Sequence, residues 1–315
     1  MLGEAANILT FLMPVILPVA GMVLIGRALV HIGFLDDPAV RGLSNLVFWL
    51  LLPSFLFLSV YKNPIPNAGE TIGLYFSIAL PAYAVSAAVG RRLLRLTMAQ
   101  SGVLALNAIY GNSVLLGIPI VGTVWGGPGL NVLLAIVAVH SLLLLPIASA
   151  MVEVGERLEN PIVGPILSAL KNPIVTSILV AVVVRWIEIP IPTAVSRTLE
   201  LLGQGAPSLS LLCLGATLPP FRRHAFQASV ATALVIKLAL LPIAMAGAVW
   251  LMGVPTPASA VMILTAGLPT GANAFLLARR ADTMSEASAT TVVLATFFSI
   301  VTLSIALSLL TMTVP

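Results

Sequence analysis

Charge is what this chain of 315 residues has least of: Asp, Glu, Lys and Arg together make up 8%. A soluble domain usually carries about a quarter of its residues as charges, so too few are present to cover a water-facing surface. Cysteine is nearly absent. The lone Cys213 sits in an apolar stretch, which excludes a disulfide framework and a four-cysteine metal site and reads as a small buried hydrophobe. Three histidines lie far apart, and the sequence has no H-E-x-x-H, no phosphate-binding glycine loop ending in Lys-Ser/Thr and no G-x-S-x-G. Neither an enzyme nor a metal or cofactor is expected, and ATP hydrolysis by this chain has no visible machinery.

What is present is hydrocarbon: 59% of residues are hydrophobic and mean hydropathy is +1.10. The solvent for most of the chain is therefore lipid. Uncharged runs cover Ile8 to Gly26, Gly42 to Tyr61, Thr71 to Gly90, Leu96 to Val152 interrupted by "GGPG" at 126 to 129, Pro173 to Val184, Leu201 to Phe221, Ala225 to Ala278 with the single charge Lys237, and Ala287 to Pro315. About twenty apolar residues cross the bilayer core, so these runs predict an all-α polytopic membrane protein with ten transmembrane helices. The first run carries Glu4 where a secretory signal would carry basic residues, and no small-residue cleavage site closes it.

The basic residues divide unevenly among the connections. Odd-numbered loops hold Arg27, Arg41, Arg91, Arg92, Arg95, Arg157, Lys171, Arg222, Arg223, Arg279 and Arg280, whereas even-numbered loops hold only Lys62, Arg185 and Arg197. Cytoplasmic loops collect Lys and Arg, which places the odd loops inside and both termini on the non-cytoplasmic side of a cell (inner) membrane. The same pattern accounts for the net charge of +4 without a nucleic-acid partner, since the clusters are short and no aromatic platform lies between them.

Ten spans split into a first repeat at 1–152, a short cytoplasmic connector at 153–172 and a second repeat at 173–315. An odd number of crossings per half makes the two repeats inverted, an arrangement common in secondary transporters. "GIP" at Gly117 to Pro119 in span four is matched by "GLP" at Gly267 to Pro269 in span nine, 150 residues on, and Pro81 and Pro242 occupy spans three and eight. Each of Pro119 and Pro269 removes a donor and opposes the preceding turn. In hydrocarbon the freed carbonyls need other partners or a watered cavity. Asn107, Tyr110, Asn112 and Ser113 stand beside the first break, and Thr265, Thr270 and Asn273 beside the second, with Gly111, Gly117, Gly267 and Gly271 permitting close approach. Two broken helices in matching positions predict a shared site near mid-membrane. Two prolines that merely kink continuous helices are the simpler alternative. Outgoing half-helices present N-terminal N–H groups, which favour an anion such as a carboxylate.

Lys237, about a dozen residues into span eight, is either a partner of that anion or a fixed countercharge, or else an interfacial lysine in a tilted helix. His140 in "AIVAVHSLLLLP" is the ionisable group of span five and either carries a coupling proton or packs as a neutral hydrogen-bonded ring. Gln204, Ser208 and Ser210 give span seven a polar face that interhelical packing explains.

"NAIYGNSVLLGIPIVG" and "ILTAGLPTGANAFLLARRAD" resemble the auxin efflux carrier family, above all its short prokaryotic members, which include malonate and malate permeases. "LVFWLLLPSFLFLSV", "KNPIVTSILV" and "PSLSLLCLGATL" extend the resemblance to essentially the whole chain. It implies two inverted five-helix repeats in which helices four and nine break and cross at Pro119 and Pro269, with Asn112 and Asn273 as polar site residues. It also implies an elevator-like carrier domain moving against a scaffold domain that often dimerises, each built from both repeats. The long central loop of the plant hormone carriers is missing, which makes auxin a doubtful substrate. The expected function is secondary active or facilitative transport of a small organic anion, with H+ as coupling ion. A sodium-coupled symporter of the same fold is the first alternative, since backbone carbonyls at a break and Asn or Thr oxygens suit a hard cation. An anion channel or a membrane sensor without transport is the second.

Overall fold

The computed structural model describes residues 17–18, 21–62, 68–156, 173–218 and 227–312. Residues 157–172 of the expected connector, the four basic residues Arg157, Lys171, Arg222 and Arg223, and most of the first expected span lie outside the described residues. The described chain is helical: α1 (Gly21–His31), α2 (Asp37–Lys62), α3 (Ala68–Arg92) and α4 (Met98–Ile109) come first. Next is a helix over Ile118–Glu156, broken at Gly126 with φ 55° into α5 (118–125) and α6 (127–156). Then follow α7 (Pro173–Trp186), α8 (Thr193–Gln204), α9 (Ala206–Thr217), α10 (Ala228–Leu251), α11 (Ala258–Gly267), α12 (Ala272–Arg280) and α13 (Ser285–Met312).

Among the described residues five stretches are long and apolar enough to cross a membrane, and α1, α4, α7 and α11 are shorter apolar helices. Large side chains such as Val182 and Val183 of α7, Ile243 and Trp250 of α10 and Val301 and Ile305 of α13 stay exposed. In lipid such side chains need no cover, so this is an all-α polytopic membrane protein.

Starts and bends of these helices have local causes. Thr97 and Gln100 form a reciprocal capping box that opens α4, and Asp36 Oδ1 accepts the Ala39 N–H at 2.9 Å to open α2. Among the described residues three wide π-helical turns, Val47–Leu51, Ser113–Gly117 and Ile236–Leu240, each end two residues before a proline: Pro53, Pro119 and Pro242. In two of them the residue just ahead of the proline, Leu52 or Leu241, donates to the fifth carbonyl back, at Val47 or Ile236. The ladder is thus shifted before it meets the missing donor.

The helices form two compact units, each drawn from both sides of the connector. Unit one comprises the described residues within Met1–Ala68, Val114–Ala138 and Lys171–Leu218; unit two comprises those within Gly69–Ser113, Val139–Leu170 and Pro219–Pro315. In unit one α2 packs along α7 and α8, and α1 meets α9 backbone to backbone. A Cβ added to Gly26 would stand 2.0 Å from the Leu212 carbonyl oxygen, and one added to Gly215 would stand 1.9 Å from that of Val23. The three basic residues assigned to even loops lie in this unit. Lys62 and Arg197 both bond the Glu200 carboxylate, and together they hold it below its usual range, while Arg185 donates to the Tyr61 carbonyl. In unit two α4, α10, α12 and α13 pack on one another, with α11 against α10 and α13.

Candidate functional site

Two helices of unit two stop inside the apolar interior. α4 ends at Ile109, and Tyr110 turns extended at φ −74°, ψ 108°; α11 ends at Gly267, and Leu268 turns extended at φ −60°, ψ 145°. The two extended segments pair antiparallel with Gly111 opposite Thr270. The Asn112 N–H donates to the Pro269 carbonyl at 2.8 Å, and the Gly271 N–H donates to the Tyr110 carbonyl at 2.9 Å. Backbone groups that two broken helices would leave bare are thereby satisfied by each other, which is what a low-dielectric surrounding demands.

The pairing needs small residues. Bonds on either side of Gly111 and Thr270 make them a non-hydrogen-bonded pair, the kind that brings α-carbons to about 4.5 Å. A Cβ on Gly271 would lie 3.0 Å from Tyr110 Cδ1 and 3.1 Å from the Gly111 carbonyl oxygen. Thr270 Oγ1 fastens the pair by donating to the Asn107 carbonyl at 2.7 Å.

Lys237 belongs to this crossing. Its side chain is fully buried, and Nζ donates to the carbonyls of Ile109 at 3.0 Å and Ala266 at 2.8 Å. These are the last turns of α4 and α11, where carbonyls lack intrahelical partners and each helix carries roughly half a negative charge. One ammonium serves both ends. The π turn Ile236–Leu240, set by Pro242, holds this lysine. It is thus held by backbone carbonyls and is not an interfacial, snorkelling lysine.

The other expected residues differ in how the fold uses them. Asn107 is 2% exposed and engaged at both amide atoms: Nδ2 donates to the Val103 carbonyl at 2.9 Å, and Oδ1 accepts from Ser288 Oγ at 2.9 Å. Thr265 Oγ1 donates to the Val261 carbonyl. Asn273, half-buried in the first turn of α12, donates from Nδ2 to the Tyr110 hydroxyl at 3.0 Å. Asn112 is buried at the extended segment's end, and Ser113 Oγ, also buried, has no hydrogen-bond partner among the described residues.

The expectation that the first break falls at Pro119 differs from the structure. Extended backbone occupies 110–112, Gly117 closes the π turn and Pro119 is the second residue of α5. A proline there needs no N–H partner, so it starts a helix instead of breaking it. Pro269 does lie in the second extended segment. Within unit one, the carbonyl four residues before Pro119, that of Leu115, lies 3.3 Å from Ser210 Oγ, whose hydroxyl also bonds the Pro207 carbonyl at 2.7 Å.

His140, 2% exposed on α6, lies face to face with Tyr110, ring centroids 4.6 Å apart and planes 2° apart. Tyr75 meets it edge-on at 6.1 Å, and Phe76 stands tilted at 6.1 Å. Neither Tyr75 nor Phe76 was singled out by sequence, because aromatics in an apolar helix carry no periodic signal. Ser288 had a weak one, since "SEASATT" is unusually polar for the start of a long apolar helix.

Residues 11–161 and 163–307 match the family described as membrane transport protein. The chain is 24% identical over 316 residues to the "Putative malonate transporter" of Rhizobium meliloti (strain 1021), an alignment covering 91% of this chain and 94% of the relative. A transport family accords with a site made of amides, hydroxyls and one buried lysine. Matched on both sides of its connector, the chain belongs to the membrane transport protein family, that of the auxin efflux carriers and the malonate and malate permeases.

Proposed function

We propose that this protein carries a small organic anion across the membrane by alternating access, a dicarboxylate of the malonate or malate kind being the best match. The observation behind this reading is the charge layout of the crossing. Lys237 offsets the two helix C-termini, so the negative ends of the dipoles are already answered. The outgoing helices start at Asn112–Ser113 and at Gly271–Asn273 with amide and hydroxyl groups, and no side chain caps the second. Donors and positive dipole ends suit a carboxylate. The relative's name supports that substrate class.

In this reading ten spans form two inverted repeats, with the odd loops cytoplasmic and both termini outside. Unit two is the carrier and unit one the scaffold of an elevator-type exchange. Purified protein in liposomes should then show saturable malonate uptake. Asn112→Ala and Asn273→Ala should each lower it at least about tenfold, the size expected for a lost hydrogen bond to a charged ligand. Wild-type flux in both variants, at equal incorporation, would remove the crossing from the substrate path.

Lys237 also bears on the coupling ion. The converging carbonyls of Ile109 and Ala266, which a hard cation could use, already hold an ammonium. Replacing external sodium with choline at constant pH and ionic strength should accordingly leave malonate uptake unchanged. Sodium-dependent uptake would reinstate the symporter of that ion.

A further inference from the structure

We propose that His140 is the proton carrier of unit two, and that it takes up a proton only while an anion occupies the crossing; this rests on the carboxylate reading above. The argument starts from a group without an explanation. His140 Nε2 is buried and has no hydrogen-bond partner among the described residues. An unpaired polar atom in an apolar interior generally costs about 1–3 kcal/mol, and native structures keep few of them without a use. A histidine kept for packing would instead be expected to bond a neighbouring carbonyl or hydroxyl. The Tyr75 hydroxyl on α3, in the ring that meets His140 edge-on, is likewise buried and unpaired. Two such atoms belong to one ring contact.

Aromatic rings surround the imidazole on several sides. Tyr110 offers its π face in parallel contact, and Tyr75 and Phe76 stand around the same ring. Aromatic faces attract a cation, by about 2 kcal/mol when desolvated. Facing charge is limited. The ionisable groups around the ring are Tyr75 from α3, Tyr110 from the crossing and Lys237 from α10, and no Asp or Glu whose side chain is described is buried. A protonated His140 would therefore be the second buried cation of unit two with no fixed counter-ion, and buried charges need one. A carboxylate held beside Asn112, Ser113 and Asn273 supplies it.

The link to that site is physical. The His140 ring lies on Tyr110, the Tyr110 hydroxyl accepts from Asn273, and the Tyr110 carbonyl accepts from Gly271. Anion at the crossing favours the imidazolium, and by reciprocity the imidazolium favours the anion. In each half-cycle a ring nitrogen's lone pair takes one H+ from the side to which the unit is open and returns it on the other. No bond of the transported molecule changes, and His140 itself touches no substrate.

The test uses purified protein in liposomes with labelled malonate, the potential clamped and the outside made acidic. Wild-type vesicles should concentrate malonate several-fold above the external level, whereas His140→Gln vesicles should concentrate none. Malonate-for-malonate exchange at equal pH should persist in the variant with a weaker apparent affinity, since exchange needs no net proton movement but the proton's contribution to anion binding is lost. A second measurement needs no variant to be active: malonate added to weakly buffered wild-type protein near neutral pH should draw in protons, and His140→Gln should draw in none. Undiminished accumulation in His140→Gln, or no proton uptake by wild type, overturns the proposal while leaving carboxylate transport standing. Absence of malonate exchange in wild-type protein would instead overturn the carboxylate reading beneath it.

Discussion

Replacing Lys237 with methionine should leave a protein that neither transports nor survives mild heating in detergent. Methionine nearly keeps the volume, so packing alone would predict a small change. The hydrogen-bond account predicts a large one. Carbonyls of Ile109 and Ala266 lose their shared donor at a fully buried point, and two helix C-termini are left facing each other without a countercharge. Each orphaned carbonyl costs about 1–3 kcal/mol, to which unanswered dipole ends add. The sum is a sizeable share of a marginal total stability. Lys237→Arg should fare little better, because a guanidinium is larger and the lysine has no exposed surface into which it could extend. Melting followed by size-exclusion chromatography decides the matter: a Lys237→Met protein with wild-type melting would show that the ammonium is not what joins the two helix ends.

A comparable loss is expected from Gly215→Val in unit one. Even the Cβ would sit 1.9 Å from the Val23 carbonyl oxygen, with the Val23 carbonyl carbon at 2.7 Å and the Arg27 nitrogen at 3.0 Å. These are backbone atoms, so no rotamer change can make room. α1 and α9 must separate, and the reciprocal contact of Gly26 with Leu212 is lost with them. Overpacking commonly costs about 1–3 kcal/mol where side chains can yield, and the cost here should exceed that range. Gly247→Val on α10 is the matched control, since an added Cβ there meets nothing within 4 Å. If Gly215→Val melted like Gly247→Val, close contact between α1 and α9 would be refuted.

Much of the crossing could be seen in the sequence because membrane interiors make polarity conspicuous. Asn107, Tyr110, Thr270 and Asn273 stood out against apolar neighbours, and the structure joins them through hydrogen bonds at one crossing. What stayed hidden has physical reasons. Lys237 showed no carboxylate partner because its acceptors are backbone carbonyls, which every residue has and no sequence displays. The first break was placed at Pro119, since proline is the strongest breaker by composition; the π turn ahead of it lets that proline begin a helix instead. The polar candidates also proved unequal in kind. Asn107 commits both amide atoms to the fold, while Ser113 leaves its hydroxyl unpaired among the described residues. The contact of Gly26 and Gly215 was invisible, because a glycine pair in two distant apolar runs looks the same whether or not the runs touch.

The order in which the ribosome delivers unit two has a consequence for its assembly. α4 enters the bilayer early with Ile109 and Tyr110 at its end, yet the partners of their carbonyls wait for Lys237 and Gly271, and Asn107 Oδ1 waits for Ser288 on α13. Bare carbonyls in hydrocarbon cost several kcal/mol each, so the nascent first half stays under-bonded until α10 to α13 arrive. A chain halted before α10 should be retained by membrane chaperones or cleared by proteases. The amide at position 107 is thus finished by a residue made 181 positions later.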